Sequence, residues 1–422
     1  MNDDPRTHDA LIRDLARAAR KAVRQLAGSP LSQRNMALEA TADRLRTQAG
    51  SVLEANEKDL AAGQARGLSP ALLDRLRLDK DRLEAIAGSL ETIVALPDPL
   101  HRIMDDWTRP NGLRIQRVAV PIGVIGVIYE SRPNVTIDAA ALCMKSGNAA
   151  LLRGGSEAVH SNHALHRVLA QGLADAGLDP AAAQLLPTQD RAAVGALLRA
   201  HDSLDLVIPR GGKGLVKRVQ DEARVPVLAH LDGNNHLYIH PSADVQMATA
   251  VVLNAKLRRP GICGALETLL IDRAWLDRAP VLLGALLDAG CELRGDATLR
   301  ALDSRILEAR EADWETEYLA PILAVRVVED AEQALNHIAR YGSGHTDGLI
   351  AEDTEAANAF LGRLDSAIAV HNASTQFADG GEFGFGAEIG IATGRLHARG
   401  PVGLEQLTTF QYRVLGSGQT RP

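Results

Sequence analysis

Residues 118–155 read VAVPIGVIGVIYESRPNVTIDAAALCMKSGNAALLRGG. The stretch opens on an apolar run of Val and Ile, passes through a helical segment, and closes on a second short apolar run, AALLRGG (149–155). Short apolar runs closed by glycine are what strands buried on both faces look like, as parallel strands are. Strand, helix, strand in that order is a βαβ unit, so the stretch predicts a parallel sheet.

The pattern continues downstream. LDLVIPRGG (204–212) reads as a strand entering a glycine turn, GLVKRVQDEA as the next helix, and VPVLAHLDG (225–233) as another strand. A second series follows: helical MATAVVLNAKL, the strand ALETLLID (265–272), helical PVLLGALLDAG, then PILAVRVV (321–328), SGHTDGLIAE and DSAIAVHNAS. Two series predict two doubly wound α/β lobes meeting near residue 240. GGEFGFGAEIGIATG (380–394) is too rich in glycine for regular structure and reads as a mobile loop over a site.

Upstream, the first hundred residues read as helices. Leu11, Leu15, Ala19, Ala22, Val23 and Leu26 share one helical face that ends at Gly28-Ser29-Pro30. Ser69-Pro70 supplies a cap and a first-turn proline for ALLDRLRL. No chemistry is evident in this part. Asn111-Gly112 is a turn signal, and the alternation of Leu113, Ile115 and Arg117 after it predicts a hairpin.

A chain of 422 residues exceeds one ordinary core and implies two or three domains. With only 3% aromatic residues, the cores must be built from Leu, Val, Ile and Ala, which suits helices packed on buried parallel strands. A net charge of −7 argues against a nucleic-acid partner, and Arg17, Arg20, Lys21 and Arg24 read as a solvated helix face. Three cysteines, an odd and sparse set, fit a reducing compartment without disulfides. The opening MNDDPRTHDA has no apolar core of a signal peptide, and no apolar run reaches the roughly 18 residues of a membrane span. The expectation is a cytoplasmic protein with no membrane partner.

Cys263 is the first chemical candidate. It sits in RRPGICGALETLLI, with Pro260 and Gly261 before it and Gly264 after, and small neighbours leave a thiolate accessible. The bland alternative is a structural cysteine, the reading given to Cys143 and Cys291. Arg153-Gly154-Gly155 and Arg210-Gly211-Gly212 each close a strand, and such turns present N–H groups and a guanidinium to phosphate. Either could be an ordinary tight turn, but their recurrence in adjacent βαβ units favours a dinucleotide. GxGxxG is absent, as are GxxxxGK[ST], HExxH, paired CxxC and GxSxG. The 13 histidines are scattered, so no metal site is expected.

The segments PIGVIGVIYESRPNVTIDAAALCMKSGNAALLRGG, NAKLRRPGICGALETLL and EYLAPILAV resemble the aldehyde dehydrogenase superfamily. ESRPNV, LLRGGSEA, GSGHTDG and GAEIGIATGRLHARGPVGLEQLTT are similar to its γ-glutamyl phosphate reductase family in particular. The resemblance runs from about residue 10 to about residue 415. It implies an NADP-binding domain over 1–238 with an oligomerisation hairpin at about 101–120, a catalytic domain over 239–395, and a C-terminal segment, 396–422, returning to the cofactor and oligomerisation region. It also implies Cys263 as nucleophile, with Asn134 and the Cys263 backbone N–H as oxyanion donors. Arg153 would stand near the adenosine ribose and favour NADP(H), Arg210, Gly211 and Gly212 would lie by the pyrophosphate, and Glu317 would hold the nicotinamide ribose.

The departures from the superfamily pattern carry information. Oxidative members place a deacylating glutamate where this chain has His230. Without that base the thioester is spared hydrolysis, which implies reduction of L-glutamate 5-phosphate to L-glutamate 5-semialdehyde in proline biosynthesis. Asn234-Asn235 and Pro321 also depart, and Asn235 bears on cofactor affinity. The anionic substrate needs cations, for which Arg132, Arg258 and Arg259 are candidates, with salt bridges as their ordinary alternative. The resemblance further implies a homo-oligomer and an association with glutamate 5-kinase. Two other readings stand beside this one: an NAD(P)-dependent semialdehyde dehydrogenase forming an acid, and a non-catalytic relative, which the presence of Cys263 and Asn134 disfavours.

Overall fold

The structure, a computed structural model, describes residues 5–421. The chain forms two compact units. The first runs to Ala229 and takes back Phe385–Gly390 and the residues from Val402 onward; the second comprises His230–Gly384 and Ile391–Pro401.

The first unit holds a four-stranded parallel sheet in the order Ala183–Leu185, Ala149–Gly154, Val124–Tyr129, Leu206–Arg210. The quoted stretch supplies its two central strands and the helix between them, Val135–Lys145. Both strands are buried along their whole length, which is why they lack alternation. On one side the core joins Ile12, Ala16 and Ala19 of helix Pro5–Gly28 to Val124, Ile128, Leu151 and Val207. Successive strands step one way from Val124–Tyr129, and the chain then returns to its other side with Leu206–Arg210. The carboxyl ends of these two strands are therefore a topological switch point, where doubly wound sheets bind ligands.

The strand expected at 225–233 does not form. Val227 makes only an isolated parallel bridge to Val207, with Val207 N donating to Pro226 O and Leu228 N to Val207 O. Pro226 has no N–H to extend the ladder. The hairpin does form, from Ile103–Thr108 and Arg114–Pro121, with Gly112 at φ +84° in its turn. The C-terminal strand Thr408–Leu415 pairs antiparallel with Arg114–Pro121 and makes it a three-stranded sheet.

The second unit holds seven parallel strands in the order Leu307–Glu308, Glu292–Gly295, Ile322–Val328, Leu266–Asp272, Asn235–Ile239, Thr346–Ile350, Ile368–His371. Helices Val245–Leu257 and Ala279–Asp288 cover one face. Helices Ala331–Tyr341 and Thr354–Leu361 cover the other. This unit begins at His230 rather than at 239, because Asn235–Ile239 is hydrogen-bonded into the middle of its sheet. Among the described residues no helix is long and apolar enough to cross a membrane.

Candidate active site

In the second unit the strands Ile322–Val328, Leu266–Asp272, Asn235–Ile239 and Thr346–Ile350 are neighbours and run parallel. The segments leading into them carry Glu317, Cys263, His230 and His345 respectively. Chemistry-bearing residues thus gather at the amino edge of the sheet.

Cys263 lies in the turn between helix Val245–Leu257 and strand Leu266–Asp272 and is half-buried. Cys143 and Cys291 are buried, and burial pushes both thiols up to about 12, so neither is a thiolate near neutrality. The turn is fixed by its backbone. A Cβ on Gly233 would lie 2.0 Å from the Cys263 carbonyl oxygen, so only glycine fits there. Asn235 Nδ2 donates to Cys263 O and Ala265 O, both at 2.7 Å, while its Oδ1 accepts from Thr346 N at 3.1 Å. One buried side chain therefore ties three neighbouring strands together beside the sulfur. Glu317 Oε1 accepts from Gly233 N at 2.9 Å. Below the turn, Lys256 of the preceding helix and Glu267 of the following strand form a fully buried ion pair at 2.5 Å. Burial pushes the Glu267 carboxyl up and the Lys256 ammonium down, and their mutual attraction opposes both shifts.

His230, Cys263 and His345 bring one ring nitrogen each and the sulfur within 4.8 Å of one another. The His230 ring stands edge-on to His345, centroids 5.2 Å apart. His230 Nδ1 lies 2.9 Å from Ile391 O, a carbonyl that only accepts, so Nδ1 donates and, in the neutral ring, the lone pair is on Nε2. His345 Nδ1 lies 2.9 Å from Thr346 Oγ1. Burial, with His230 as a smaller cause, pushes His345 down to about 3, so its ring is neutral. The sulfur therefore has two imidazole neighbours.

In the first unit Asn134 occupies the cap position of helix Val135–Lys145. Its Nδ2 donates to Asp138 Oδ2 at 2.8 Å, and Ser89 Oγ donates to Asp138 Oδ1 at 2.9 Å. Burial raises the Asp138 pKa, partly opposed by these two bonds and by the nearby Arg210. Gly211 and Gly212 follow the strand end at the switch point. Helix Lys213–Glu222 starts there with no side-chain cap, and space is open where a Gly212 Cβ would be. An uncapped helix start in open space at a switch point suits a dinucleotide phosphate. Gly212 N does donate to Glu130 Oε2 at 3.1 Å. The Arg210 guanidinium packs on Gly390, whose Cβ would lie 3.1 Å from Nη1, so part of the glycine-rich segment is held against this unit. Arg153 is buried, and its Nη1 and Nη2 donate to Gly154 O and Gln189 O, both at 3.0 Å.

Arg132 is half-buried just before Asn134. Arg258 and Arg259 are exposed beyond helix Val245–Leu257, with Arg258 Nη1 donating to Gln376 Oε1 at 3.2 Å. Cys263, His230 and Glu317 fall together in one unit, and Asn134 and Arg210 flank Asp138 in the other. Gly233 and His345 lie in stretches quoted above, VPVLAHLDG and GSGHTDG, without a role being assigned to either, and Asn235 showed only as a departure.

The aldehyde dehydrogenase family model matches residues 4–288. The gamma-glutamyl phosphate reductase of Novosphingobium aromaticivorans is 60% identical over 414 residues, covering 98% of this chain and 97% of its own. The chain belongs to the aldehyde dehydrogenase family, in its γ-glutamyl phosphate reductase branch. The reductase of Rhodospirillum rubrum is 58% identical over the whole of both chains. The crystal structure of the Thermotoga maritima reductase superposes with a TM-score of 0.95 at 42% identity, covering 97% of this chain and 100% of that one. The resemblance drawn from the motifs and the doubly wound α/β fold class are both borne out.

Proposed function

We propose that this chain reduces L-glutamate 5-phosphate to L-glutamate 5-semialdehyde and phosphate with NADPH, the second step of proline biosynthesis. The observation that carries the reading is the setting of Cys263: an accessible sulfur on a pinned turn, flanked by His230 instead of a carboxylate that would activate water.

In this mechanism His230 accepts the thiol proton and the Cys263 sulfur attacks the acyl carbon. The Asn134 amide and the Cys263 N–H donate to the oxyanion, one such donor being worth roughly 2.7–4 kcal/mol. The carbon–oxygen bond to phosphorus breaks, phosphate leaves with the electron pair, and a thioester remains on Cys263. A nicotinamide cofactor, when bound, would supply the hydride that reduces this thioester. The resulting thiohemiacetal collapses, its carbon–sulfur bond breaks, and the aldehyde departs. Arg210, Gly211 and Gly212 would hold the pyrophosphate, Arg153 would read the 2′-phosphate that distinguishes NADP from NAD by turning from the carbonyls of Gly154 and Gln189, and Glu317 would hold the nicotinamide ribose. Arg132, Arg258 and Arg259 remain candidates for the substrate's anionic ends.

The antiparallel sheet serves oligomerisation in this reading. One face carries Trp107, Phe410, Tyr412 and Val414, all exposed, with Trp107 and Tyr412 packed edge to face at 6.2 Å. An apolar patch of this kind on a small sheet is usually covered by a partner. The enzyme works in the cytoplasm beside glutamate 5-kinase, which supplies the labile acyl phosphate.

The test couples the purified chain to that kinase with L-glutamate, ATP and NADPH. NADPH consumption that needs both the kinase and Cys263 supports the activity. No consumption in the presence of active kinase overturns it.

A further inference from the structure

We infer that Arg75 and Arg77 form a subsite for an anionic group of the substrate, its carboxylate or its phosphate, in a cavity they share with Asn134. The inference rests on the activity proposed above.

The cavity lies within the first unit and measures about 300 Å³, the size class of small-metabolite pockets. Its walls come from three short pieces of chain. Helix Pro70–Leu76 brings Arg75, the link after it brings Arg77, and helix Lys80–Ala95 brings Arg82 and Ser89. Asn134 and Asp138 complete it. Two caps hold the helices in place: Ser69 Oγ accepts from Leu72 N at 3.3 Å, and Asp79 Oδ1 from Arg82 N at 2.8 Å.

The three arginines are not equivalent. Arg82 is engaged, donating to Asp74 Oδ1 at 2.7 Å and to Arg77 O at 2.9 Å. Arg75 and Arg77 are exposed, and among the described residues neither has a carboxylate within ion-pair distance. Asp138 is not ion-paired to either arginine and is engaged elsewhere. Its two oxygens accept from Asn134 and Ser89, bonds that oppose the upward shift burial gives its carboxyl. Two uncompensated guanidiniums in one concavity raise the local positive potential and draw in an anion. A guanidinium matches carboxylate and phosphate oxygens in a bidentate fork. Asn134, the proposed oxyanion donor, opens on the same space, so an anion bound there belongs to the reacting molecule. Nothing in the sequence marked this site, because both arginines fall in a stretch that reads as plain helix.

The experiment measures the reverse reaction in Arg75→Gln, Arg77→Gln and the double variant, varying semialdehyde and phosphate separately. Arg66→Gln, an exposed arginine outside the cavity, is the control. The double variant is expected to raise one KM about tenfold, the loss of one charge-assisted contact, with the KM for NADP+ unchanged. A rise for phosphate places the phosphate on the arginines, and a rise for semialdehyde places the carboxylate there. Unchanged values for both overturn the inference. A second readout is independent of turnover: inorganic phosphate or L-glutamate should raise the melting temperature of the wild type but not of the double variant. If the wild type shows no phosphate-linked turnover, the proposed activity fails, and the melting shift alone decides whether the anion subsite exists. Equal shifts in wild type and double variant overturn it.

Discussion

Cys263 differs from the other two cysteines in what surrounds it. Cys143 lies inside a helix packed on all sides and Cys291 is buried at the start of a strand, whereas Cys263 sits half-buried in a turn beside Gly233 and the rings of His230 and His345. Iodoacetamide should therefore alkylate the native protein once per chain, at Cys263, and reach Cys143 and Cys291 only after denaturation. Peptide mapping by mass spectrometry checks this, and native labelling at either buried cysteine would contradict it. The sulfur was legible from its flanking glycines together with the family resemblance. His345 lay in the motif GSGHTDG that carried the resemblance but had no role attached to it, and only the fold brings it to the cluster.

At the scale of the element, the amino edge of the second sheet is braced by Asn235. Its amide joins the start of Leu266–Asp272 to the start of Thr346–Ile350, and Gly233 lies flat on the Cys263 carbonyl. Asn235→Ala leaves two buried carbonyls and one N–H without their partner, at a cost of about 1–3 kcal/mol for such a group. The expected outcome is an earlier denaturation midpoint and a lower kcat, with the KM for NADP+ little changed. A selective rise in the KM for NADP+ would instead assign Asn235 to the cofactor. The sequence marked Asn235 only as a departure, since a hydrogen bond to a carbonyl thirty residues away leaves no periodicity. Most strands with apolar runs were legible, but Asn235–Ile239, in the middle of the second sheet, and the short Ala183–Leu185 were not read as strands. The opposite miss was 225–233, where composition favoured a strand and Pro226 withheld the donor it needed.

For the molecule as a whole, two features govern behaviour in solution. The first is the exposed apolar face of the antiparallel sheet, foreseen as a hairpin to whose region the segment 396–422 returns, though not as a sheet whose third strand is Thr408–Leu415. Trp107→Asp combined with Tyr412→Asp should lower the mass measured by light scattering, whereas an unchanged mass would show that the face does not join subunits. The second is a pair of buried neutral histidines. Burial pushes His337 and His345 from 6.5 down to about 3. The folded state resists protons that the unfolded state accepts, so this stability is present above about pH 6.5 and is lost as pH falls toward 3. The slope is up to about 1.4 kcal/mol per pH unit for each histidine. Denaturation midpoints between pH 7 and 5 should fall accordingly, and a flat profile would mean that these rings are not excluded from water.

The central claim is that the Cys263 thioester is resolved by phosphate and not by water. The most direct measurement follows NADP+ reduction by glutamate semialdehyde with and without added phosphate, in the wild type and in Cys263→Ala. Strict dependence on phosphate, abolished in the variant, is the predicted result. Equal rates without phosphate would show that water completes the reaction despite His230, and the chain would then be a semialdehyde dehydrogenase forming an acid.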